Sequence, residues 1–437
     1  MSTPSRTTHS SPPAGLPRLL AHLSSPRARA SLRAHRAVLP APPRPRGRPD
    51  LALIEAVERS GLRGRGGAGF PSGAKLRAIA DRGRGRGRAV VVVNGTEGEP
   101  ASAKDELLLT DTPHLVIDGA LAAAAAVGAA RVVLCVSASN TRALSSLYQS
   151  LDERVAAEPP PVRIDVAVAP DGYVTGEERA LVAWLNGGAP VPNTGPRPYE
   201  RGVAGRPTLV HNAETVAHLA QIAAYGSDWF RAVGTPEEPG SALVTLSGAT
   251  PRAGVYEVSY GTPLANLLTA AGGTPRGLGA VLVGGFYGTW IPAEAAAAVR
   301  LSGRDLAGVG ASLGAGVVAV LPADACGLTE TARILAWFSA QSAGQCGPCV
   351  YGLAAIAEAA RHLVEMGGDG TLARLARWAG DVEGRGACRL PDGATRLVRS
   401  ALEVFAPDVD AHRAGRPCAA SRRAAELAVP GVRAVAS

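Results

Sequence analysis

Between residues 89 and 169 short β-branched runs alternate with longer segments of helical periodicity, and this alternation constrains the fold more than any other feature of the chain. In "RAVVVVNGTEGEP" the apolar run Ala89 to Val93 is short, almost all valine, and stops abruptly at Asn94, as a strand buried on both faces does. "HLVIDGALAAAAAVGAA" then reads as a buried helix, "RVVLCVSA" as a strand, "SNTRALSSLYQSLDERVAAE" as a helix and "VRIDVAVAP" as a strand. Strands alternating with helices predict a parallel α/β sheet. Ligands of such sheets bind beyond the carboxyl ends of the strands, where "NGTEGEP" and "DGYVTGEERA" both fall. Upstream, "DLALIEAVERSGL" is a helix ended at Ser60-Gly61.

The texture changes twice further on. From about Ser241, "SALVTLSGAT", "GVYEVSYG" and "GAVLVGGFYGTWIP" give short strands around the single helix "TPLANLLTAAGG", a small α+β module of β-grasp type. From about Cys326 strands vanish, and four segments with apolar i, i+3, i+4 spacing predict a helical bundle. The expected partition is a basic leader over 1–49, a Rossmann-like α/β domain over 50–238, a β-grasp domain over 239–325 and a helical domain over 326–430. A length of 437 residues accommodates three cores. With aromatics at 4%, Ala, Val and Leu must fill them.

The net charge of +8 is not a nucleic-acid signature. Residues 1–49 hold nine arginines and no acid, so the rest of the chain is near neutral. The leader reads as a solvated tail or, through "LPRLLAHL", as a docking arm; an Arg- and Ser-rich transit peptide is the other alternative. No aromatic platform accompanies it. No apolar run reaches the ~20 residues of a membrane span, and the expectation is a soluble, cytoplasmic protein.

Two features carry chemistry. In "GLRGRGGAGFPSGAKL", Gly64, Gly66, Gly67 and Gly69 leave backbone N–H groups open to a phosphate or a flavin ring, and Lys75 follows as a candidate phosphate partner. Alone, this loop is equally a structural turn. A second polar loop (Asn94, Glu97, Glu99) and a third (Tyr173, Glu177, Glu178) converge on the same sheet edge. Glu177-Glu178 also suits the start of a helix. The second feature is "QSAGQCGPCVYG", with Cys346 and Cys349 two residues apart in a helix–helix connection. Four of the six cysteines lie within the last 92 residues, and clustered thiols without a secretion signal favour metal over disulfide. Cys135 reads as core and Cys326 as a packed thiol.

In order along residues 50–420, "GLRGRGGAGFPSGAK", "NGTEGEP", "KDE", "GYVTGEERAL", "GRPTLVHNAETVAHL", "AGVYEVSYGTPL" and "GQCGPCVYGL" resemble the NADH-binding flavoprotein subunit of respiratory complex I and its hydrogenase and formate dehydrogenase relatives. The resemblance implies an FMN/NADH domain, a soluble-ligand-binding β-grasp domain and a helical domain with a 4Fe–4S cluster. It places Gly64, Arg65, Gly66, Gly67, Asn94, Tyr173, Glu177, Glu178, Asn212 and Thr215 around FMN, and Phe70, Lys75 and Glu97 towards the nicotinamide nucleotide. Asn212 also suits the N-cap of the helix that follows it. The family's cluster ligands correspond to Cys346, Cys349 and Cys388, but Ala343 stands where a further cysteine is found. A cubane with an open iron, a three-iron cluster, ligation by Cys418, zinc or an empty site all follow from three thiols. Other departures are Thr96 for Asp, His211 for Asn, and Leu76-Arg77-Ala78 for Trp-Ser-Phe, with Tyr199 near a missing Phe. Arg77 is placed to meet a phosphate, for example the 2′-phosphate of NADPH. The implied function is electron transfer from NAD(P)H or a reduced protein through FMN and an iron–sulfur cluster to a ferredoxin-like or other redox partner, with peripheral association to a membrane redox complex. The alternative is a non-catalytic, ligand-binding scaffold.

Overall fold

A computed structural model describes residues 15–21, 23, 28–83, 89–416, 418–422 and 424–431. Four strands form a fully parallel sheet: β1 (Val90–Gly95), β2 (Arg131–Ser137), β3 (Arg163–Ala169) and β4 (Thr208–Asn212), in the order β3-β2-β1-β4. β1 is central, and Val90 to Val93 are all buried, which is why its run is unbroken by polar residues. The helix Pro113–Val127 is buried at every position. Its small residues have a reason: a Cβ on Gly119 would stand 1.8 Å from the Val216 carbonyl oxygen of the helix Ala213–Arg231, so the two helices meet backbone to backbone. Strand order reverses between β1 and β4, creating the crevice where ligands of open α/β sheets bind.

The second sheet contains β5 (Ser241–Gly248), β6 (Gly254–Ser259), β7 (Leu278–Val283), β8 (Thr289–Pro292) and β9 (Val317–Pro322), in the order β6-β5-β9-β7-β8. Only β5 and β9 are parallel. The helix Leu264–Ala270 buries Leu264, Leu267 and Leu268 in this unit's core with Val244, Val281 and Val318, the arrangement of a β-grasp module. Beyond Cys326 come the helices Gly327–Ala340, Leu353–Glu365, Asp369–Val382 and Leu390–Val404, then the shorter Ala406–Arg413. Aromatic side chains close the junction of the three regions: Tyr173 stacks on Tyr287 (centroids 5.8 Å apart) and meets Trp337 edge-on at 5.4 Å, while Phe286 also packs against Trp337.

The leader's described part is no solvated tail. Leu19 and Leu39 are buried in the parallel-sheet core. The helix Leu32–Val38 docks through His35 Nε2, 2.7 Å from Asp118 Oδ2, and through Arg36, whose Nη2 donates to Asp118 Oδ1 at 2.9 Å. Arg154 joins the same carboxylate at 2.7 Å. Arg18 is buried over the Trp229 ring. Arg29 and Arg36 of this arm thus meet acids of the body, and its apolar residues supply the burial. Residues 1–14 lie outside the described residues. No helix among the described residues is long and apolar enough to cross a membrane.

Candidate functional site

The glycine loop is a closed turn. Gly64 N–H donates to the Phe70 carbonyl at 2.8 Å, and Ser72 N–H to that of Leu62 at 2.9 Å. Gly67 has φ +100° and Gly69 φ +60°, conformations that glycine adopts without strain. A Cβ on Gly66 would lie 3.4 Å from Asn212 Cβ, so the loop's backbone rests against the end of β4. Arg65 anchors it: its N–H donates to Thr215 Oγ1 (2.9 Å), and its buried guanidinium donates to Tyr260 Oη (2.6 Å) and the Ser241 carbonyl (2.9 Å). Phe70 is 57% exposed. Lys75 Nζ reaches Glu178 Oε2 at 2.9 Å and the Val210 carbonyl at 2.8 Å. Arg77 pairs with Glu58 at 2.6 Å, so its charge is balanced at the surface by an acid.

The second and third loops are tied together. Asn94 Nδ2 donates to the Gly176 carbonyl at 2.8 Å, while its Oδ1 accepts from the Thr96 hydroxyl at 2.8 Å. Thr96 thus braces Asn94 within the loop. Glu97 sits at φ +45° and turns its carboxylate back, accepting from Asp105 N–H (2.9 Å), Glu106 N–H (2.7 Å) and Ser102 Oγ (2.6 Å). It caps the helix Lys104–Asp111. Glu177 caps the helix Glu178–Leu185 through Arg179 and Ala180 N–H, each at 2.9 Å, which is the structural role its position suggested. Asn212 likewise caps Ala213–Arg231 through Glu214 N–H at 3.0 Å, and its Nδ2 donates to Asp105 Oδ2 at 2.6 Å.

Beneath these loops lies a buried charge network. Lys104 Nζ is 2.8 Å from Asp105 Oδ1 and 3.1 Å from Glu214 Oε2. Burial opposes its charge, but Asp105, Glu214 and Glu97 outweigh that and hold its pKa above the usual value. Burial likewise works against ionised Glu214, yet Lys104, His218 and Arg65 bring it down to about 2. Nothing in the sequence but the "KDE" motif signals this network. His211 Nε2 is buried without a hydrogen-bond partner among the described residues. Burial, and then Lys75, push its pKa down to about 3, so the ring is neutral. A partnerless ring nitrogen, a glycine backbone lying against Asn212, and the crevice between β1 and β4 fit a planar, hydrogen-bonding group such as a flavin.

At the far end of the helix Gly327–Ala340, Gln341 Oε1 accepts the Tyr173 N–H at 3.0 Å, joining the third loop to the cysteine connection. Cys349 N–H donates to the Cys346 carbonyl at 3.0 Å, and the Ser342 hydroxyl lies 3.2 Å from Cys349 Sγ. Burial raises the Cys388 pKa. The Leu390 N–H opposes that, and Cys349, Glu177 and Cys346 raise it further. Cys349 is buried in the core of the helical region, and Cys346 and Cys388 are half-buried against that same core. Soft thiolates with a hydroxyl beside them fit an iron–sulfur cluster held by three cysteines. Cys418 is elsewhere, in a group with Cys326 and His412. The structure thus groups Cys418 with other side chains than Cys346, Cys349 and Cys388. Tyr199 is half-buried beneath the Arg82 guanidinium, 4.8 Å from it.

Residues 57–221 match the family model described as the Nuo51 FMN-binding domain, and residues 329–412 match the NADH-ubiquinone oxidoreductase-F iron-sulfur binding region. The chain is 31% identical over 380 residues to an F-type subunit of NADH-quinone oxidoreductase (the one numbered 2) from Rhizobium meliloti, covering 84% of this chain and 90% of the relative. It is also 31% identical over 401 residues to the F-type NADH-quinone oxidoreductase subunit of Mycobacterium tuberculosis, covering 87% and 88%. A solved NAD+-reducing NiFe-hydrogenase structure is similar with a TM-score of 0.76 and 32% identity, over 83% of this chain and 62% of the hydrogenase chain. The present chain thus spans about three fifths of that hydrogenase chain's length. Motif order, parallel-sheet crevice and thiol set agree with these matches, and the chain belongs to the family of F-type NADH-quinone oxidoreductase subunits, which are FMN-dependent oxidoreductases.

Proposed function

We propose that this chain oxidises NADH at an FMN held in the β1/β4 crevice and delivers the electrons, through a cluster on Cys346, Cys349 and Cys388, to a redox protein subunit beside it. FMN supplies the change from two-electron to one-electron transfer. The protein's residues supply placement. Gly64 to Gly67, Asn94, Asn212 and Thr215 shape and anchor the flavin cradle. His211 offers its partnerless Nε2. Phe70 presents an exposed aromatic face for the nucleotide, and Lys75 a cation now balanced by Glu178. Glu97 acts behind the site, fixing the helix whose Lys104 and Asp105 hold Asn212.

One observation carries this reading. The loop from Tyr173 to Glu178 touches both halves of the path: Glu178 meets Lys75 on the flavin side, while Tyr173 is fastened to Gln341, where the cysteine connection begins. The division near residues 238 and 325, the ferredoxin-like partner, the cytoplasmic setting and peripheral attachment to a membrane complex belong to the same proposal.

Absorption spectra of anaerobically purified protein, before and after NADH, test it. Flavin bands and an iron–sulfur shoulder that NADH bleaches support it. A second reading has its own support: Ala343 removes one thiol, Leu76 is buried in the core and Arg77 is paired. On that reading both chromophores are present, NADH leaves them unchanged, and another donor reduces them. Protein that stays colourless after reconstitution with FMN, iron and sulfide would leave only the scaffold function.

A further inference from the structure

The helical region also brings together, away from Cys346 and Cys349, three side chains of the types that ligate metals. Among the described residues, one group of three or more Cys, His or acidic side chains has all its ligand atoms within 4.8 Å of one another: Cys326, His412 and Cys418. It is separate from the iron–sulfur thiols. Cys326 caps the start of the 14-residue helix Gly327–Ala340, whereas Ser342, just past the helix end, touches Cys349. At 1.5 Å per residue the two thiol groups stand roughly 20 Å apart.

The geometry points to a tetrahedral zinc site built from Cys326, His412 and Cys418, with the fourth position left to water. Cys326 Sγ and His412 Nε2 are 3.5 Å apart. A tetrahedral ion with bonds of about 2.3 Å to sulfur and about 2.0 Å to nitrogen sets its ligands about 3.5 Å apart. His412 Nδ1 donates to the Val364 carbonyl at 3.0 Å. That bond fixes the tautomer and leaves the Nε2 lone pair facing the sulfurs, the outer support a ligating histidine needs. The Thr329 N–H points at Cys326 Sγ from 3.4 Å, a donor that favours thiolate at a helix N-terminus. Two thiolates and an imidazole are a ligand set for zinc rather than magnesium or calcium. The ion would fasten the segment after residue 416 to the start of the bundle and to its last helix.

Metal content of the purified full-length chain, grown with zinc and dialysed, tests this. About one zinc per chain is expected in the wild type. Zinc is expected to persist in the Cys346→Ser/Cys349→Ser/Cys388→Ser protein, which loses iron, and to fall at least tenfold in Cys418→Ser, which keeps it. Cys418 is only half-buried, so this variant tests ligation with little loss of packing. Cobalt loading of the unaltered chain is an independent readout, since thiolate ligation gives a charge-transfer band without any substitution. Wild-type protein lacking both zinc and that band would overturn the proposal. So would zinc that follows Cys346, Cys349 and Cys388, or alkylation mapping that finds Cys326 and Cys418 joined as a disulfide.

Discussion

Asn94 and Asn212 stand opposite each other at the last paired position of β1 and β4, and their side chains hold different partners. Asn94 holds the third loop through the Gly176 carbonyl, and Asn212 holds Asp105 and caps a helix. Removing the first should loosen the flavin cradle without opening the core. Asn94→Ala forfeits a neutral hydrogen bond, worth about 1 kcal/mol, and frees Thr96 to turn away. FMN affinity, measured by flavin fluorescence quenching, is expected to fall by about fivefold to tenfold with circular dichroism unchanged. Unaltered affinity would detach the third loop from flavin binding.

Ala343 sets a testable limit on the cluster. It stands two residues beyond Gln341, beside Ser342, whose hydroxyl already lies against Cys349. Ala343→Cys should complete a four-thiolate set. Iron per chain is expected to rise, and the cluster's absorption to survive air longer than in the wild type. A cluster whose iron content and lifetime do not change would mean that residue 343 does not face the metal.

Much of this is legible in the sequence because it is periodic. The valine run of β1, the turn at Gly61 and the amphipathic helices of the bundle each follow from local rules, and the structure places them as expected. The three loops converge because parallel strands put all their carboxyl ends on one edge. The leader misleads for a compositional reason: Arg- and Pro-rich sequence looks solvated until Asp118, Glu153, Glu158 and Glu257 are known to wait for it. His412 has no signal at all. It is one histidine on a short helix, and only folding brings it to two cysteines from different segments. Buried Lys104 is equally hidden, because a lysine opening a helix reads as exposed until Glu214 is placed beneath it.

On the nucleotide side, Phe70 and Arg77 should behave oppositely. Phe70 is exposed at the end of the glycine loop, whereas Arg77 is held by Glu58. Base stacking on an aromatic face is worth roughly 1–3 kcal/mol. Phe70→Ala is therefore expected to raise the KM for NADH by tenfold or more, with flavin content intact. Arg77→Ala should leave the preference between NADH and NADPH as it is. A variant at Arg77 that lost NADPH turnover selectively would restore the phosphate role that the ion pair argues against.

Glu99 makes stability depend on pH in an unusual direction. Its buried carboxylate accepts the Phe286 N–H at 3.1 Å and the Ala101 N–H at 3.2 Å, tying the second loop to the end of β7. Burial raises its pKa to about 7 despite these donors. Between its ordinary value near 4.5 and about 7, the folded chain holds a proton that the unfolded chain releases. Its contribution is therefore present at low pH and lost as pH rises through that window, by on the order of 3 kcal/mol in total at about 1.4 kcal/mol per unit. Glu99→Gln keeps an acceptor and cannot ionise. Melting temperatures of the flavin-free protein should match between wild type and variant near about pH 4.5, and the variant should gain steadily towards about pH 7.5. Comparing the two proteins separates Glu99 from His35 and His114, whose depressed pKa values act in the opposite sense. A constant difference across the window would mean that Glu99 is ionised throughout and that water reaches it.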